Sequence, residues 1–90
     1  AEYEIEGHKL QIAESAIKEF LSEISLNEPN TKYSAFLKKE TNKFIHFMEF
    51  NDLDAENSHR NADYTRKFAD IIYPICSSVP EFTNLEKIMI

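Results

Sequence analysis

The sequence predicts an α+β domain of order βαββαβ, with an antiparallel four-stranded sheet carrying two main helices on one face. Three observations lead there. The run Phe44-Ile45-His46-Phe47-Met48-Glu49-Phe50 is apolar on both faces of a strand. Side chains alternate along a strand, so Phe44, His46, Met48 and Phe50 point one way while Ile45, Phe47 and Glu49 point the other. Only two other stretches carry convincing helical periodicity, and an α+β unit with this connectivity lays both on the same side of its sheet. The opposite side then needs a cover, which a second copy of the chain would supply. Finally, 90 residues with 42% hydrophobic and 12% aromatic content suffice for one core and not two. The whole of 1–90 therefore reads as a single domain, of a size at which a partner subunit adds useful burial.

In chain order, residues 1–6 alternate, with Tyr3 and Ile5 opposing Glu2, Glu4 and Glu6, and predict the first strand. Gly7, the only glycine, breaks it. Leu10, Ala13, Ile17, Phe20, Leu21 and Ile24 then recur at helical spacing and predict a helix through Leu26. The segment Asn27-Glu28-Pro29-Asn30 ends it, because proline lacks a backbone donor and biases its predecessor away from helix. Residues 31–38 predict a second strand, with Tyr33, Ala35 and Leu37 on one face and Ser34 and Phe36 on the other. A polar turn at 39–42 joins it to the third strand, 44–50, as a hairpin. The acidic stretch 51–56 has the short polar residues of a helix start. From about Asn61, the residues Tyr64, Phe68, Ile71, Ile72 and Ile75 trace the apolar face of a second main helix, which Pro74 should end or kink. Residues 82–88 predict the fourth strand.

Ten Lys and Arg against sixteen Asp and Glu give a formal charge of −6. That balance disfavours nucleic acid or an anionic membrane as partner, since both call for a concentrated basic face. Lys38, Lys39 and Lys43 cluster only at the hairpin tip, where lysines block unwanted strand addition. Cys76 is alone, so no intrachain disulfide forms and a reducing cytoplasm is the expected setting. No stretch is long or apolar enough to span a membrane, and no signal peptide is visible. Glu56-x-x-His59 has the spacing used in di-iron bundles, but such sites need two of these pairs and further glutamates. Asp52-x-Asp54-x-Glu56 imitates the opening of a calcium loop, yet Asn57 and Asp63 stand where the turn glycine and the final glutamate belong. One glycine leaves no phosphate-cradling loop. No metal and no cofactor are expected.

Four short motifs carry a family resemblance. Gly7-His8-Lys9 looks like a turn between a first strand and a first helix, and Glu28-Pro29-Asn30-Thr31 stands where Glu-Pro-Gly-Thr is often written. Phe44-Ile45-His46-Phe47-Met48-Glu49-Phe50-Asn51-Asp52 is similar to a third strand that commonly ends in Glu-x-Trp-x-Asp. Ser58-His59, then Asn61-Ala62-Asp63-Tyr64 and Phe68, look like an Ala-His, Ser-Pro-His and Phe stretch. Together they resemble the antibiotic biosynthesis monooxygenase family of the dimeric α+β barrel superfamily, whose fold is ferredoxin-like. This chain departs from the pattern at Phe50, in the usual Trp position, at Tyr64, in place of the second His, and in a first strand without Asn. The haem-degrading branch uses those three groups, so haem chemistry is not implied.

The resemblance implies a homodimer formed through the sheet face and a cofactor-independent monooxygenase-like activity on a planar aromatic or quinol-type molecule. In such oxygenases the substrate itself is deprotonated and then reacts with oxygen, so the protein binds, orients and accepts a proton. His59 or His46 would be that acceptor, because histidine titrates near neutrality, and Tyr64 would donate to the developing oxyanion. Phe44, Met48, Phe50, Tyr33 and Phe68 would line the ligand pocket. His46 reads as a buried histidine satisfied by a neighbouring backbone or hydroxyl group, ahead of an imidazole presented to a ligand. Two rival functions share the architecture: a non-catalytic small-ligand-binding or stress-associated dimeric module, and a small isomerase needing an acid and a base but no oxygen.

Overall fold

The computed structural model describes residues 1–89. Its elements are β1 (Glu2–Glu4), α1 (Leu10–Asn27), β2 (Lys32–Leu37), β3 (Lys43–Glu49), α2 (Leu53–Asn61) and α3 (Asp63–Ile72). The stripe Ala13, Ala16, Ile17, Phe20 and Ile24 is the buried face of α1. The helix stops at its predicted place: the Glu28 N–H still donates to the Ile24 carbonyl at 2.7 Å, and Pro29 follows. Asp52 caps α2, accepting from the Ala55 N–H at 2.8 Å, as an N-terminal Asp should. Pro74 falls inside a short 3-10 turn, Tyr73–Ile75, so α3 ends at Ile72.

The sheet is antiparallel in the order β1-β3-β2, with β3 central. Its register pairs Tyr3 with Phe44, Ala35 with His46 and Tyr33 with Met48, which puts these residues on the helix side. Tyr3, Ile5, Ala13, Ala16, Ile17, Phe44 and Ile72 form the core between sheet and helices. On the other side Phe36 and Phe47, 54% and 51% exposed, meet edge to face at 6.0 Å.

Two expectations are corrected. Among the described residues the sheet has three strands and not four. The fourth position is taken by the stretch after α3, which makes only single bridges, Ile5 to Cys76 and Glu2 to Glu81. Residues 82–88 have therefore passed the end of β1 and have no strand beside them; Phe82, Leu85 and Ile88 are 68%, 75% and 84% exposed. The helix count also differs: the second main helix, α3, begins at Asp63, near its predicted start, and the acidic stretch before it opens a helix of its own, α2. Ala62 is extended, with ψ 146°, and separates α2 from α3 amid Asn57, Ser58, Asn61 and Asp63, residues that favour caps and turns over helix interiors.

Candidate functional site

Strand parity, the break at Ala62 and the end of α1 converge on one aromatic cluster. β3 sends His46 inward, 3% exposed, and β2 places Tyr33 next to it. The last turn of α2 carries His59 inward, 5% exposed, and the first turn of α3 carries Tyr64. Phe20 of α1 is the hub: it stacks on Phe68 at 4.3 Å and lies 5.5 Å from Tyr33, 5.6 Å from His59 and 6.2 Å from Tyr64. Phe50 meets His59 at 5.2 Å, and Phe68 meets His46 at 5.7 Å.

Two polar groups of side chains run through the cluster. In the first, Glu28 Oε2 accepts from His59 Nδ1–H at 2.7 Å and also from the Tyr64 hydroxyl. The other carboxylate oxygen, Oε1, is buried and meets no donor at hydrogen-bonding geometry among the described residues, though the nearby Thr31 side chain also favours the charged carboxylate. Burial alone would raise the Glu28 carboxyl, but the Tyr64 and His59 hydrogen bonds and the His59 charge outweigh it and hold the group below the usual carboxylate range. Burial and the bond to Glu28 push Tyr64 upward, so it keeps its proton. In the second group, His46 Nε2 lies 2.7 Å from the Tyr3 hydroxyl and Nδ1 lies 2.8 Å from that of Tyr33. Desolvation, with a smaller effect from the N-terminal amine, lowers the His46 pKa to about 4. Both tyrosines are raised by burial.

His59, His46, Tyr64, Tyr33, Phe50 and Phe68 thus lie in one cluster. Phe44 stands apart, stacked on Tyr3 at 5.5 Å in the main core. Met48 is half-buried beside Tyr33 in the ladder. Phe20 and Phe68 stack where a cavity between sheet and helices is expected, and between α1 and α3, lined in part by both and by Tyr64, is a crevice of ≈ 10 Å³, room for about one water. A larger groove, ≈ 380 Å³, lies along α1 and Ile71, and none of the predicted residues lines it. Among the described residues no group of His, Cys, Asp and Glu is placed to hold a metal, and no helix is long and apolar enough to cross a membrane.

Three contributors escaped the sequence reading: Glu28, Tyr3 and the hub role of Phe20. Glu28 left a signal. A carboxylate at a helix C-terminus opposes the helix dipole, so its presence there asks for a compensating partner, and His59 is that partner.

The two buried histidines differ in how their ring nitrogens are engaged. In His59 a carboxylate at Nδ1 fixes the tautomer and leaves Nε2, which makes no hydrogen bond among the described residues, as the basic nitrogen. His46 is differently placed, with both nitrogens occupied by hydroxyls and a pKa that keeps it neutral.

Two solved structures share this arrangement of elements. One is a Caulobacter crescentus CB15 protein provisionally named an antibiotic biosynthesis monooxygenase; it superposes with a TM-score of 0.86 over 98% of this chain and 85% of its own, at 19% identity. The other, named antibiotic biosynthesis monooxygenase, gives 0.78 over 87% of this chain and 83% of its own, at 16% identity. The chain has the antibiotic biosynthesis monooxygenase-like fold. Neither protein-family models nor curated protein sequences match it. Within this fold, the last turn of α2 with His59 and the first turn of α3 with Tyr64 meet the residue that follows α1, Glu28.

Proposed function

We propose that the protein is a homodimeric, cofactor-independent monooxygenase-like enzyme that acts, in a reducing cytoplasm, on a planar phenol- or quinol-type molecule. The observation that carries this reading is the Glu28–His59–Tyr64 arrangement: one buried carboxylate orients an imidazole through Nδ1 and leaves Nε2 for a substrate proton. His59 takes that proton, and Glu28 stabilises the imidazolium that results. The substrate anion then reacts with dioxygen. His46, held by Tyr3 and Tyr33, acts as a wall and an anchor. The uncovered Phe36 and Phe47 support assembly through the sheet face, because an edge-to-face aromatic pair in water is a natural interface centre.

A second reading is favoured by one observation. Phe20, packed against His59, stacks on Phe68, and the crevice next to that pair admits about one water, as suits a non-catalytic module. Oxygen-consumption measurements with a hydroquinone series separate the possibilities. Uptake that disappears in His59→Ala supports the oxygenase. Turnover without uptake points to an isomerase, and binding without turnover to the module.

A further inference from the structure

A neutral imidazole has one N–H and one bare nitrogen. His46 is neutral near pH 7, and both nitrogens are engaged, by Tyr3 at 2.7 Å and by Tyr33 at 2.8 Å. One tyrosine must donate its hydroxyl hydrogen to the ring, and the other must accept the ring N–H, keeping its own hydrogen for something else.

The surroundings decide which one keeps it. Tyr3 is 8% exposed, stacked on Phe44 in the core that holds Ile5 and Ile72. Its hydroxyl bonds to His46 alone among the described residues, and that contact is buried, whereas the Tyr33–His46 contact is only partly so. A surplus hydrogen there would be buried without an adequate partner, a costly arrangement. Tyr33 is half-buried, with its ring 5.6 Å from that of His59, and it feels the charge of Glu28, whose buried Oε1 meets no donor at hydrogen-bonding geometry among the described residues. The surplus hydrogen belongs on Tyr33. His46 then carries its proton on Nδ1, donated to Tyr33, while Nε2 accepts from Tyr3.

We infer that Tyr33 is the hydrogen-bond donor to the oxygen of a phenolate or enolate held at His59. Tyr64 is not free for that role, since its hydroxyl hydrogen is engaged by Glu28. The inference rests on His59 as proton acceptor and names the group that receives the complementary charge. As His59 Nε2 removes the hydroxyl proton, the electron pair stays on the ligand oxygen, and the Tyr33 hydroxyl hydrogen that His46 does not take is available to stabilise it.

The first test needs no ligand. Nitrogen-15 NMR of the labelled wild-type chain reads the His46 tautomer: a protonated Nδ1 and bare Nε2 are expected, and a proton on Nε2 overturns the inference, because Tyr33 would then have given its hydrogen to the ring. The second test uses 4-nitrophenol, whose absorbance distinguishes phenolate from phenol. The wild type is expected to bind it as phenolate, and Tyr33→Phe to weaken binding by about tenfold or more, the worth of a charge-assisted hydrogen bond. Tyr64→Phe should weaken it less. Equal affinity for wild type and Tyr33→Phe overturns the inference while leaving His59 as base. No binding by the wild type overturns the reading of the site and this inference with it.

Discussion

Glu28 and His59 stand 31 positions apart in the chain and meet at 2.7 Å, side chains 9% and 6% exposed. The contact ties the loop after α1 to the last turn of α2 and fixes which imidazole nitrogen faces the cluster. It joins two jobs in one bond, since the residue that orders the loop also selects the basic nitrogen.

Glu28→Ala leaves the His59 Nδ1–H and the Tyr64 hydroxyl without their acceptor, so it should destabilise the fold by on the order of 3 kcal/mol. Urea unfolding at pH 7 measures this, and a change under about 0.5 kcal/mol, the range of neutral surface substitutions, would show that the contact carries no weight. The pH dependence has a definite sign. The Glu28 pKa is lowered by folding, so its contribution is present above the ordinary carboxylate range and is lost as pH falls through the lowered value.

His46 should act at higher pH. Its folded pKa of about 4 lies below the ordinary 6.5, so between those values the unfolded chain binds a proton that the folded chain refuses. Stability therefore falls as pH drops from about 6.5 to 4, by about 3 kcal/mol for a shift of this size. In His46→Gln, which offers an amide to both tyrosines, the slope across that window should flatten. An unchanged slope would assign the acid sensitivity to another group.

Much of the fold was legible because each signal was local. The α1 stripe, the Pro29 stop, the hairpin, the Asp52 cap and the Pro74 stop each rest on a few adjacent residues. The errors concern partners distant in sequence. Residues 82–88 look strand-like, but a strand needs a neighbour, and β1 had already been passed at Glu81. At the site, alternation in β3 placed His46 and Phe50 toward the helices, whereas the two hydroxyls that occupy both nitrogens of His46 come from β1 and β2 and could not be read from the run itself. Glu28 was read as a helix end because its role depends on a residue 31 positions later.

The open sheet face gives an oligomer prediction. Phe47 is half exposed in the single chain, so Phe47→Asp should change the stability of the isolated fold by no more than about 1 kcal/mol, as expected of a surface site. At an apolar dimer interface the same substitution would bury a bare charge, which is strongly unfavourable. Sedimentation should show a wild-type dimer at micromolar concentration and a folded Phe47→Asp monomer. A monomeric wild type, or a dimer indifferent to the substitution, would remove the sheet face as the interface.

Phe20 is the stopper in the space where a substrate ring would sit, 3% exposed and stacked on Phe68 at 4.3 Å. Phe20→Ala should cost about 3–5 kcal/mol, the usual penalty for deleting a buried aromatic side chain and leaving a cavity. The new space would be bounded by His59, Tyr33, Tyr64 and Phe68, and apolar walls with a few polar groups suit a planar ligand. If the wild-type site opens by displacing Phe20, the variant has already made that displacement, so a hydroquinone should bind more tightly to it and regain part of the lost stability in proportion to ligand concentration. Thermal melts with and without hydroquinone make the comparison. Stabilisation of Phe20→Ala that exceeds that of the wild type supports a ligand space beside His59. An equal destabilisation with no response to ligand would mean that Phe20 is ordinary core, and the monooxygenase-like reading would lose its binding site.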